Sequence, residues 1–170
     1  MARYEIIPER SPLAAEARSS VHPIRVEATG FQGYLDLELA DGRLDLAAPV
    51  GGHVEFPADR VKTGNRLYDY ELDRRLDVRR YPRMTGDVRE IRPRVGGNGY
   101  RMRGDLTFHG VTRSVEGDLR VRPLDEHMIE VEGELQLDMR DFGLEPPKLL
   151  MLRVHPDVRV RARAIAKRAS

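Results

Sequence analysis

The chain contains no cysteine. Disulfides, thiolate metal sites and thiol nucleophiles are therefore excluded, while the compartment stays open because disulfide-free proteins occur everywhere. An excess of either charge is also missing: 29 Lys and Arg face 28 Asp and Glu, a net charge of +1. That balance argues against a nucleic-acid partner, because backbone binding needs concentrated positive charge. Basic residues do gather at Arg159, Arg161, Arg163, Lys167 and Arg168, which on an alternating strand form one solvated face. Long apolar runs are lacking too. The longest aliphatic stretch is Leu149-Leu150-Met151-Leu152, and Met1 to Arg10 holds no signal-peptide core, so no membrane span is expected. A full-length product starting at Met1 is expected in the cytoplasm; one trimmed of a leader would be periplasmic or secreted.

Signals for chemistry are equally sparse. The five histidines (His22, His53, His109, His127, His155) show no metal-ligand spacing. No serine lies in a G-x-S-x-G context. Gly96-Gly97-Asn98-Gly99 is not followed by Lys-Ser/Thr and reads as a hairpin turn rather than a phosphate loop. The expectation is no catalysis, no metal and no cofactor.

What the sequence does hold is alternation. Leu35, Leu37 and Leu39, then Leu44 and Leu46, flank Asp41-Gly42, a turn dipeptide suited to positive φ. Val115, Gly117, Leu119 and Val121 alternate with acidic and basic residues; so do Ile129, Val131, Gly133, Leu135, Leu137 and Met139. Val158, Val160, Ala162 and Ala164 alternate with Arg159, Arg161 and Arg163. One dry and one wet face per strand is the pattern of antiparallel sheet. Turn signals at Asp41-Gly42, Gly51-Gly52, Gly96–Gly99 and Pro146-Pro147 separate short strands, which suggests a barrel or sandwich in one domain spanning residues 1–170, frayed after Ile165.

One segment departs from this period. From Asn65 to Arg80 there is no Gly or Pro, and Tyr68, Leu72 and Leu76 recur every fourth residue. This predicts a helix over about 65–80, capped by Thr63 or Asn65 and lying over the barrel. Its column Asp69, Asp73 and Asp77 repels itself unless paired, with Arg66 and Arg80 as the expected relief.

Two polar clusters stand out: Leu106-Thr107-Phe108-His109-Gly110-Val111-Thr112-Arg113 and Arg140-Asp141-Phe142-Gly143-Leu144. The glycine of the first suggests a bulge or close backbone approach. Each cluster reads either as rim architecture or as contacts to a ligand head group.

The first stretch resembles the L-T-[IF]-H-G-V-T-[RK] hallmark of the YceI-like family of lipocalin-like proteins. Leu76-Asp77-Val78-Arg79-Arg80-Tyr81-Pro82 is similar to its F-D-V-x-x-Y-P segment, Thr63-Gly64-Asn65 to its T-G-N, and Arg140–Leu144 to a later motif. Tyr68-Asp69 stands where the family often has Arg-Asp, and Glu71 where it has a histidine. The resemblance implies an all-β fold, an extended eight-stranded antiparallel lipocalin-like barrel with one helix. It further implies an apolar small-molecule ligand (a polyisoprenoid, an isoprenoid quinone, or a fatty acid or amide) and a homodimer in some members.

Inward residues that are aliphatic or small, Gly117, Gly133, Ala162 and Ala164 among them, independently suggest unfilled interior volume. Candidate lining residues are Leu106, Phe108, Val115, Leu119, Val131, Leu135, Leu137 and Phe142, with His109, Thr112, Arg113, Arg140 and Asp141 as the polar network. Two alternatives stand beside a lipid carrier. One is an interaction module with a solid barrel; the other is an enzyme using His109 as general base and Arg113 as anion stabiliser.

Overall fold

A computed structural model describes residues 2–146, 148–149 and 151–170. The turn signal at Pro146-Pro147 and the aliphatic run at Leu150 therefore lie partly outside the described residues. Strands dominate. In chain order they are β1 (Ala2–Ile6), β2 (Pro12–Ser19), β3 (Ile24–Thr29), β4 (Gln32–Leu37), β5 (Leu39–Ala40), β6 (Arg43–Leu44) and β7 (Gly51–Pro57). The helix α1 (Arg66–Leu76) follows, then β8 (Arg83–Pro93), β9 (Tyr100–Phe108), β10 (Val111–Pro123), β11 (Met128–Asp138), β12 (Lys148–Leu149) and β13 (Leu152–Arg168).

Eight of these strands form a closed antiparallel circuit, β1-β4-β7-β8-β9-β10-β11-β13, with β13 pairing back onto β1. Closure removes the open edges that long strands otherwise present to other chains. The 17-residue β13 is the seam. One of its edges pairs with β11 from Asp157 to Lys167, and its other edge is shared between β2 and β1. Where β1 passes into β2 the ladder breaks at a 3-10 turn, Pro8–Arg10. The fully buried Ser11 repairs the break: its hydroxyl donates to Ile7 O (2.7 Å) and accepts from Ile165 N (3.1 Å). Pairing of β13 continues through Ala166, Lys167 and Arg168 against β1. The fraying expected after Ile165 is thus replaced by the contact that shuts the barrel.

Two turn expectations change as well. Asp41-Gly42 does turn, both residues having positive φ, but the hairpin is only β5 with β6; β4 belongs to the barrel wall. Gly51-Gly52 is the start of β7 rather than a turn, and a Cβ at Gly52 would lie 2.9 Å from both Tyr34 O and Leu35 Cδ2. Gly52 is small because β4 runs close beside it.

The helix begins as expected and ends four residues early. The Asn65 side chain caps it by accepting from Leu67 N and Tyr68 N, at 3.0 and 3.2 Å. Asp77 then turns left-handed (φ 50°), and its N–H returns to Asp73 O and Arg74 O. Aspartate tolerates that region well enough to end a helix without glycine. The acidic column is relieved from the preceding loop, not by Arg66 and Arg80. Lys62 pairs with Asp73 at 2.8 Å, and Asp69 accepts from both Thr63 N and Thr63 Oγ1.

Inward side chains form two packed groups. Tyr4, Leu35, Leu37, Leu119, Ile129 and Ala166 anchor the first, at the end where β1 meets β13. Leu76, Met139, Leu144, Leu149, Leu152 and Val154 anchor the second, beneath α1.

Candidate ligand-binding cavity

Strand alternation aims one column of each strand inward. From β11 these are Val131, Gly133, Leu135 and Leu137; from β13, Val158, Val160, Ala162 and Ala164. Cross-strand register sets them side by side, Leu135 against Val160, Gly133 against Ala162 and Val131 against Ala164. Met84, Gly86 and Val88 of β8, with Met102, Gly104, Leu106 and Phe108 of β9, complete the far wall. The small residues leave space: a cavity of about 320 Å³ runs between the two packed groups. Its lining is overwhelmingly aliphatic. Its roof is α1, through Leu72, Arg75 and Leu76, together with Leu144, Leu149 and Val154. The solid-barrel expectation does not survive this space.

The small residues do not all serve the same end. A Cβ at Gly133 would meet nothing nearer than Leu119 Cδ1 at 3.8 Å, so its hydrogen leaves room. A Cβ at Gly117 would lie 2.5 Å from Glu134 O; this glycine permits close strand approach and is not part of the lining.

Of the expected ligand contacts, Leu106, Phe108, Val115, Leu119, Val131, Leu135 and Leu137 line the cavity. Phe142, His109, Thr112 and Arg113 do not. Phe142 is buried behind Phe108, the rings meeting edge-on at 5.5 Å. His109 and Gly110 both have positive φ and form the two-residue turn between β9 and β10. Gly110 is needed twice there, for its φ of 75° and because a Cβ would collide with the Tyr81 ring. The expected bulge is therefore a hairpin turn. The His109 ring packs on Tyr81 (5.1 Å) and lies 3.4 Å from Phe142 O through Nδ1, a clasp between three rim segments.

Thr112 shares a hydroxyl hydrogen bond with Thr107 (2.7 Å). Arg113 falls on the inward column of Val115, yet at the exposed rim its guanidinium donates to Thr112 O. Arg140 forms a bidentate pair with Asp138, and Asp141 is exposed. The His109 and Arg113 side chains thus do not converge on the cavity, as acid–base work on a bound molecule would require.

The outer face is a lattice of charge. The basic column of β13 meets the acidic column of β11: Arg159 pairs with Glu134, and Arg163 with Glu130. Glu130 is buried under Arg163 and Arg122. Burial pushes its carboxyl up, but the two guanidiniums more than offset this and hold it below the usual range. On β7 and β8, His53 Nδ1 lies 2.8 Å from Asp87 and Nε2 3.1 Å from Glu55. Hydrogen bonds to Asp87 first, then to Glu55, raise the histidine above its ordinary value. Among the described residues, no group of three or more potential metal ligands converges, and no helix is long and apolar enough to cross a membrane.

The signal that sequence reading missed is Arg75. It sits three residues after Leu72 and one before Leu76, on the face that α1 turns to the cavity.

A closed eight-stranded antiparallel barrel with an apolar interior and one roofing helix defines a lipocalin-like protein. The chain belongs to the YceI-like domain family, matching it over residues 4–166. Solved structures agree in fold. Burkholderia cenocepacia BcnA superposes with a TM-score of 0.78 at 18% identity, covering 94% of this chain and 98% of that one. A polyisoprenoid binding domain from Saccharophagus degradans gives 0.74 at 16% identity, covering 98% of each. The Campylobacter jejuni YceI protein gives 0.64 at 17%, covering 82% of each. No curated protein sequence matches the chain.

Proposed function

We propose that this chain binds a long apolar or amphipathic molecule inside its barrel and carries or stores it. The ligand class is a polyisoprenoid, an isoprenoid quinone, or a fatty acid or amide. The observation that carries this reading is the cavity of about 320 Å³ with an almost wholly aliphatic lining, a size within the range of small-molecule sites. Each methylene moved from water into such a lining contributes about 0.8 kcal/mol, so a chain of about ten contributes about 8 kcal/mol toward the cost of association. The similarity of the Saccharophagus degradans polyisoprenoid binding domain in fold supports the same reading.

Native mass spectrometry tests it. Protein purified without detergent, and protein incubated with decaprenol, ubiquinone or palmitate, should each show a mass increment that disappears on denaturation. A chain that neither arrives with a lipid nor takes up any of the three would overturn the proposal.

A further inference from the structure

Arg75 is out of keeping with its surroundings. It lines the cavity between Leu72 and Leu76, with Val61 and Ile24 also on that wall. Its Nε is buried and has no hydrogen-bond partner, which sets it apart among the described side-chain polar atoms. Other acidic and basic neighbours of the cavity are used elsewhere. Glu55 and Asp87 hold His53, Asp105 pairs with Arg89, Glu134 pairs with Arg159, and Glu16 is exposed on the outward column of β2. Lys62, the cation just before α1, is committed to Asp73. Arg75 as a residue is half-buried, but a buried guanidinium N–H left without a partner is costly, and native proteins rarely keep one for no purpose.

We infer that Arg75 receives the head group of the ligand, and that this head group is a single carboxylate, so that the cargo is a long-chain monocarboxylic acid. The inference rests on the lipid-binding reading above and narrows it. A guanidinium presents a planar fork of donors that matches a carboxylate. One cation in an apolar setting is neutralised by one negative charge. A diphosphate brings two or more, and the surplus would be desolvated without compensation. An alcohol or amide head would bond to Arg75 while leaving its charge unmatched. The tail would then run down the barrel past Leu135 and Ala162 toward Leu119.

The test compares palmitate, hexadecanol, palmitamide and farnesyl diphosphate by titration at pH 8, with wild type and with Arg75→Gln, Arg75→Lys and Arg113→Gln. Hydrogen bonds to a charged partner are strong enough that wild type should prefer palmitate over hexadecanol by about tenfold or more. Arg75→Gln should erase that preference, weakening palmitate far more than hexadecanol. Arg75→Lys should keep part of it, and Arg113→Gln should leave it intact.

The wild-type comparison needs no variant, so a misfolded substitution leaves the inference exposed to failure. Equal affinity for acid and alcohol, a preference that survives Arg75→Gln, its loss in Arg113→Gln, or tighter binding of farnesyl diphosphate would each overturn it. Failure to bind any of the four overturns the inference, and failure to bind decaprenol and ubiquinone as well would overturn the lipid-binding reading beneath it.

Discussion

At the end where β1 meets β13, strands close the barrel by themselves. Leu37 and Ile129 are each 1% exposed and Ala166 is fully buried, all within hydrogen-bonded ladders. At the other end the strands stop short, and α1 with the segment after β11 supplies the roof. The polar anchors of α1, Lys62–Asp73 and Thr63–Asp69, tie it to its own leading loop rather than to the barrel wall. What holds the roof down is therefore apolar packing through Tyr68, Leu72 and Leu76. A region secured by few cooperative contacts opens at lower free energy than the core beneath it. The packed end sets stability, and the roofed end sets access.

Substitutions at the two ends should separate these roles, beginning with the largest effect. Leu37→Ala at the packed end should lower stability by about 2–4 kcal/mol in urea denaturation. Leu135→Ala on the cavity wall should cost clearly less, because that side chain already borders empty space. Similar losses at both would mean that the interior is uniformly packed.

The glycines of the wall form the second pair. Gly104→Ala would force a Cβ to 2.5 Å from Asp87 O and should destabilise by about 1–3 kcal/mol. Gly133→Val, with open room ahead of it, should leave the melting temperature within about 2 °C while weakening palmitate binding. A Gly133→Val protein that binds as well as wild type would show that the ligand does not pass this point.

Next comes the roof. Asn65→Ala removes the cap of α1 and should cost about 1 kcal/mol. Hydrogen exchange should show the loss confined to α1, with faster release of a bound lipid. Protection lost across the whole barrel, or no change in release, would argue against α1 as the moving part.

The smallest effect lies on the outer wall, away from both ends. The bonds that raise His53 stabilise the fold fully below about pH 6.5, and the contribution disappears as pH climbs through the raised folded value. Glu55 is depressed, first by His53, so its share is present above about pH 4.5 and is lost in more acid solution. His53→Gln should therefore lower the melting temperature most between about pH 4.5 and 6.5 and not at all in alkaline solution. The group is partly solvated, so the effect should stay below about 1 kcal/mol. A pH-independent difference would assign His53 a packing role instead.

Much of the wall was legible in the sequence. The alternations at 115–121, 129–139 and 158–164 become β10, β11 and β13, with the expected column facing inward. Misreadings fall where a residue type has two uses. Gly51-Gly52 was read as a turn, whereas it opens β7, with Gly52 set close against β4. Asp77 ends α1 although nothing in composition separates it from the helix before it. His109 and Arg113, the most conspicuous polar residues of the family-like motif, hold the rim, whereas the inconspicuous Arg75 points at the cavity. A guanidinium on a helix reads as solvated because most are, and only the i+3 step from Leu72 marks it otherwise.

The sequence by itself determined that β10, β11 and β13 are strands, which of their columns is dry, and where one helix interrupts the strand pattern. These follow from a period of two against one of 3.6, and a period is a local property. The tertiary structure alone decided that the dry columns enclose unfilled volume. A cavity is the difference between the space set by strand closure and the side chains that enter it, and closure depends on the pairing of Tyr4, Glu5 and Ile6 with Arg168, Lys167 and Ala166 across the whole chain. For the same reason only the assembled fold could bring Arg75 over that space, with its Nε left without a hydrogen-bond partner.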